Sequence, residues 1–263
     1  MMSDFSAIQR LTVYVETLSV PPPYSHRYSF DLKFDTAGLQ AQYSLEYTDR
    51  DDLSKEEIWE EGFSDNNNFS WVGNLPSVWY TTILESWLKT KLSSEEKDAE
   101  SLVSGLIITA ELVDGQKIMG VPDQIDDWVY LLQELTQAVY EAAKKEYPLR
   151  IRYLEKSSDH EQTQLIITAQ FLHRTLEVIQ QRGKQSRQYK LDWTKAKPLL
   201  STLYQLDFNS EQVSAKMPHH SGKYLDPGDG LWYSFEKSVT NPGNIDFIAD
   251  LERELQIVRR NIL

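Results

Sequence analysis

Four residues near the C-terminus have the side-chain types needed to hold a metal ion: His219, His220, Asp226 and Asp229. Imidazole nitrogens and carboxylate oxygens are ligands for zinc or manganese, and a metal held there would support hydrolysis. A metal-dependent hydrolase is therefore one function class. Against it, adjacent histidines seldom turn toward one ion, and the spacing matches no familiar ligand motif.

A second constellation is cationic and aromatic: Arg174, Arg182, Lys184, Arg187, Tyr189, Lys190 and Trp193. Cations that track phosphates and rings on which bases stack are the equipment of a single-stranded nucleic-acid binder. The plainer reading is an exposed hairpin with solvated charge.

The sequence holds no Gly-Lys-Ser/Thr phosphate loop, no Gly-x-Ser-x-Gly and no His-Glu-x-x-His. With no cysteine, disulfides, thiolate ligands and thiol nucleophiles are excluded. Carboxylates are plentiful, but no spacing promotes a pair of them to acid–base work. The residues thus assign no catalytic group and no cofactor, and they lean away from an enzyme.

Charge carries more information. Of the net −13, residues 1–149 hold 11 Lys and Arg against 26 Asp and Glu, and residues 150–263 hold 16 against 14. Residues 49–61 alone place seven acids beside Arg50 and Lys55. Such polarity steers a basic protein and disfavours nucleic acid on the acidic side. The expectation is a non-enzymatic binding protein that engages another, basic protein through its acidic N-terminal half. No apolar run is long enough for a membrane span. The first residues lack the basic and apolar parts of a signal peptide, so the cytoplasm is the expected compartment.

The elements that must position these groups centre on residues 105–148. Residues 106–113 and 116–121 read as a hairpin around Asp114-Gly115, a dipeptide suited to a two-residue turn with positive φ at both positions. Asp123 is the expected N-cap of a long helix in which Ile125, Trp128, Leu132, Leu135 and Val139 recur at helical spacing. Tyr147-Pro148 closes it. Alternation predicts strands at 10–18, 27–35, 39–47, 149–155, 165–172 and 175–180, with shorter ones at 69–72, 189–193 and 231–235. Helices are expected at 76–91, 195–206 and from 241 onward, and a short acidic one within 49–61. The last presents Phe247, Leu251, Leu255, Val258 and Ile262 on one face, which completes the fold or pairs with a second copy in a homodimer. Residues 93–100 read as a connector, 157–161 as a polar turn and 214–230 as the longest irregular stretch.

The pentapeptide Leu-Ile-Ile-Thr-Ala occurs at 106–110 and again at 165–169. A pattern of hairpin, short strand near tryptophan and striped helix fits residues 27–91 and 162–206. The fold class expected is α+β, an antiparallel sheet or sheets with three or four helices packed on one face. It is read as one compact unit over 1–263, with two related hairpin/helix units at about 1–100 and 101–263 as the finer division.

Overall fold

The computed structural model describes residues 8–35, 38–93, 104–157 and 161–260. The first hairpin turn at 36–37, most of the 93–100 connector, the centre of the 157–161 turn and Ile262 lie outside them. Two compact units divide the chain, Met1–Lys145 and Glu146–Leu263.

In the N-terminal unit, β1 (Ile8–Thr17), β2 (His26–Asp35), β3 (Gly38–Tyr47) and β4 (Phe69–Leu75) form an antiparallel meander. The acidic α1 (Lys55–Glu60) lies between β3 and β4, and α2 (Ser77–Lys89) follows β4. The chain then adds β5 (Leu92–Ser93), β6 (Ser104–Leu112) and β7 (Lys117–Pro122), giving the order β4-β3-β2-β1-β6-β7-β5. Strict alternation fixes the register, because a one-residue slip would turn every apolar side chain to the wrong face. Val13 pairs with Phe30 and with Ile108, and Phe30 pairs with Tyr43, so one face is continuous and buried. Trp79, Ile83 and Trp87 of α2 are buried, and Tyr80 meets Phe34 edge to face. The opposite face carries ion pairs such as Arg27–Glu46. After β7 comes α3 (Ile125–Ala142).

The C-terminal unit repeats this order. Its meander is β8 (Leu149–Lys156), β9 (Gln162–Gln170), β10 (Thr175–Arg182) and β11 (Gln185–Leu191), followed by α4 (Ala196–Leu203). Next come β12 (Asp207–Phe208), β13 (Val213–Ser214), β14 (Gly222–Asp226), β15 (Trp232–Ser234), β16 (Val239–Thr240) and α5 (Phe247–Arg260). The seven-stranded order is β11-β10-β9-β8-β14-β15-β13, position for position that of the first sheet, with β12 and β16 as a separate ribbon. Leu199, Leu200 and Leu203 of α4 and Leu251, Leu255 and Val258 of α5 are buried.

The expected α+β fold with helices on one face is corrected: among the described residues the fold is β-rich, carried by two seven-stranded antiparallel sheets and accompanied by five helices. Non-local pairing builds strands where the local sequence reads as loop. Within 214–230, β14 sits among glycine, histidine and proline, yet it pairs with β8, Tyr224 opposite Leu154. Strand formation there follows the sheet edge presented to the segment rather than its own propensity. The repeated pentapeptide occupies β6 and β9, which are not counterparts: β6 corresponds in order to β14, and β9 to β2. Two local details also change. The β6–β7 loop has four residues, 113–116, with Gly115 N–H on Leu112 O at 2.9 Å and positive φ at Gly115 but not at Asp114. The N-cap of α3 is Gln124, which makes no side-chain capping bond.

Candidate functional site

The 18 residues of α3 rise about 27 Å, and two stripes divide its surface. Trp128, Leu132, Leu135 and Val139 are buried. Trp128 also donates its indole N–H to Thr90 at 2.9 Å, which fixes the start of α3 to the end of α2. Beside that stripe runs a second, Val129, Gln133, Thr136 and Tyr140, at spacings of four, three and four. It faces a cleft of about 1040 Å³ between α3 and the buried side of the sheet. The opposite wall is built from the ends of β1, β2 and β3, with Val15, His26, Tyr28, Leu45 and Tyr47 turned inward by the same alternation that builds the core.

An aromatic row runs along this wall. Tyr47 and His26 have ring centroids 5.7 Å apart, His26 stacks on Tyr28 at 6.2 Å, and Tyr28 lies 6.2 Å from Tyr43. Tyr43 meets Tyr140 of α3 edge to face, and Tyr140 continues to Phe69 at 5.2 Å. Burial pushes the Tyr28 phenol up to about 12. Burial first, then Tyr140, raises that of Tyr43, which also hydrogen-bonds Thr136 and Tyr140. Both phenols are neutral at ordinary pH. His26 Nδ1 sits 2.8 Å from the Tyr24 carbonyl, which can only accept, so that nitrogen carries a proton.

The rim is held by Arg50. Its guanidinium lies 4.0 Å from the Tyr47 ring centroid and 4.4 Å from that of Phe63, and it donates to Pro23 O at 2.9 Å and Asn67 Oδ1 at 3.2 Å. Desolvation lowers its pKa, and the Tyr47 phenol opposes that shift. Arg50 is thus a structural clamp that ties residues 48–68 to the cleft wall. At the N-terminal end of α3 the cleft is bordered by the exposed carboxylates of Asp123, Asp126 and Asp127, and among the described residues no lysine or arginine lines it. The chemistry available is ring faces, amide and hydroxyl groups along the wall, and negative charge at one end.

The C-terminal unit has a cleft at the corresponding place, between the end of β8 and α5, of about 660 Å³. Its lining is ionic and self-matched. Arg259 bonds Glu155 at 2.9 Å, Lys223 bonds Glu252 at 2.7 Å, and Arg182 meets Glu161 at 3.2 Å. Here the chain supplies its own cations to its own carboxylates.

The residues singled out for metal binding are not brought together. Asp226 is buried, ion-paired with Arg152, and accepts the N–H groups of Gly228 at 2.9 Å and Gly230 at 3.0 Å. Asp229 accepts the Leu231 N–H at 2.8 Å and the Tyr233 hydroxyl at 2.7 Å, and that bond pushes the phenol up to about 12. His219 and His220 are exposed ahead of β14. Among the described residues no group of three or more His, Asp or Glu converges as a metal site.

The basic hairpin is likewise reorganised. Trp193 is buried, with its ring 5.1 Å from Phe171 and the Arg174 guanidinium 5.4 Å above it, so its faces are already covered. Tyr189 donates to Val258 O at 2.9 Å. Lys190 pairs with Glu177 and Arg182 with Glu161, while Lys184 in the turn and Arg187 on β11 are exposed. The two rings required for base stacking belong to the fold.

The cleft is not legible in the sequence, because its wall reads as ordinary strand and helix. The available signal was the stripe Val129–Gln133–Thr136–Tyr140, of low charge and flanking the apolar one. A scan against protein-family models finds no match, and neither does a search of curated proteins or of solved structures.

Proposed function

We propose that the protein is a non-catalytic binding protein whose N-terminal unit receives a segment of another protein in the cleft beneath α3. The observation that carries this is the cleft itself, about 1040 Å³ with an unbroken aromatic row along one wall. Concave sites with mostly apolar walls and a few placed polar groups are where ligands gain most contact, and tyrosines contribute large contact area at low entropic cost. The acidic balance of this half supports a basic partner. The cytoplasm is the proposed compartment; no described helix is long and apolar enough to cross a membrane.

The test places a photo-crosslinking amino acid at Gln133, an exposed cleft residue, and separately at Arg187 on β11. In cells that make the protein, position 133 should capture one defined polypeptide and position 187 should not. Equal capture from both positions, or capture from 187 alone, contradicts the reading.

A further inference from the structure

We propose that β4 is a self-association edge: two copies of the chain pair antiparallel through Phe69–Leu75, centred on Val72, and join their N-terminal sheets into one. This surface shares no lining residue with the cleft beneath α3 and does not rest on the role proposed for it.

β4 ends the first sheet, and among the described residues no strand pairs with its outer side. The direction of its backbone groups follows from β3. Thr48 N–H donates to Ser25 O, on the β2 side, at 2.9 Å, and Tyr47 N–H donates to Asn68 Oδ1, on the β4 side, at 2.9 Å. Neighbouring residues of a strand turn their backbone groups to opposite sides, so the odd-numbered residues of β3 bond β4. Their partners Phe69, Trp71, Gly73 and Leu75 are thereby used. Ser70, Val72 and Asn74, all exposed, turn N–H and C=O away from the sheet. A second strand laid along this edge satisfies all of those groups together.

The residues favour a second copy as the occupant. Read from either end, the strand runs apolar, polar, Trp or Gly, with valine at the centre. Antiparallel pairing about a two-fold axis at Val72 sets Phe69 against Leu75, Ser70 against Asn74 and Trp71 against Gly73 of the other copy. The largest side chain thus meets the residue that has none, and hydroxyl meets amide. Within each chain the Trp71 ring lies over Gly73 of its own strand, where a Cβ would run into it. The pair therefore sets the two rings side by side across the axis, diagonal neighbours within reach of each other.

Charge points the same way. β4 contains no charged residue, so self-pairing brings no like charges together along the strand. The end strand in the corresponding position of the second sheet is β11, which presents Arg187 and Lys190, both exposed. Lysine and arginine on an edge keep it from pairing with another chain. The second sheet thus has a guarded edge where the first has an open one, with Val72 64% exposed at its centre. The net charge of −13 opposes association of whole chains, and salt screens that repulsion. Because the contact is one strand wide, below the area of an obligate interface, dissociation at about 10 µM is expected.

The experiment is sedimentation velocity on the full chain, from about 1 to 200 µM in roughly 0.15 M salt. Wild type should pass from monomer to dimer over that range. Val72→Lys and Val72→Glu each place two like charges opposite one another at the axis, and each should weaken the dimer at least about tenfold. Circular dichroism should show both variants folded, because position 72 is exposed. An equimolar mixture of the two variants sets lysine against glutamate and should restore the dimer. Wild type that stays monomeric to the highest concentration overturns the inference and leaves the edge to a strand of a different protein. A dimer that survives Val72→Lys forms through another surface and overturns it too. Failure of the mixture to recover the dimer overturns the pairing about Val72.

Discussion

Tyr43 of β3 and Tyr140 of α3 meet edge to face, their ring centroids 6.2 Å apart at 82°, with a hydrogen bond between the side chains. The pair joins the strand wall of the cleft to its helical wall. Tyr43→Phe removes the hydroxyl and keeps the ring, and should cost about 1 kcal/mol. Tyr43→Ala also empties a fully buried ring position and should cost about 3–5 kcal/mol. Urea denaturation measures both. Equal losses would show that the ring does not pack as described.

The buried phenols predict an alkaline transition. Tyr28 is raised to about 12 by burial, above the usual value near 10. A raised folded value means the neutral form is favoured in the fold. That contribution is fully present below about pH 10 and is lost as pH rises through about 12. Absorbance titration should therefore show a group of phenols, Tyr28 among them, ionising with unfolding at about 12, apart from any ordinary wave near 10. A single wave near 10 for all tyrosines would contradict the buried row.

At the acid end the sensitive element is α1. Ser54 and Glu57 form a reciprocal cap, the Glu57 carboxylate accepting the Ser54 N–H at 2.8 Å, and these bonds lower the pKa of Glu57. Asp65 is lowered first by Lys55, then by the Trp59 indole. Depressed carboxylates stabilise above their unfolded values near 4 and lose that effect as pH falls through the folded ones. Because α1 buries no residue, it should fray alone. Amide exchange at Ser54 and the Trp59 indole shift should change between about pH 5 and 3 while the sheets hold. A pH-independent indole shift would argue against the Asp65 contact.

Asp226 is predicted to be a structural anchor. Asp226→Ala leaves Arg152 without its carboxylate and two glycine N–H groups without their acceptor. Breaking a buried pair costs about 3–5 kcal/mol, and the low end applies because Arg152 is 29% exposed. Asp226→Asn keeps an acceptor for the glycines and should cost less. Protein stripped with a chelator should show no rise in melting temperature on adding zinc or manganese. A clear rise would revive the His219–Asp229 set as a metal site.

Some of this was legible in the residues. The alternation in 27–47 gave the β2–β3 pairing because both strands bury one face, and the spacing from Ile125 to Val139 gave α3 because a long apolar stripe has no strand alternative. Residues 222–226 were not legible as strand, since what makes them one is the edge of β8, distant in sequence. Trp193 and Tyr189 read as available rings, because the sequence does not show Phe171 or the end of α5 arriving to cover them. The acidic bias of the first half was plain, but the cleft that gives it a location depends on where α3 crosses the sheet. That crossing is a property of packing.

The most direct test of the cleft is amide and side-chain shift mapping on the full chain with a short basic peptide, which stands for the basic partner segment proposed above. The perturbed residues should cluster on Thr17, His26, Tyr47, Gln133 and Gln137, with the C-terminal unit silent. Shifts centred on Arg174 to Trp193, or on His219 to Asp229, would contradict the assignment of binding to the cleft beneath α3.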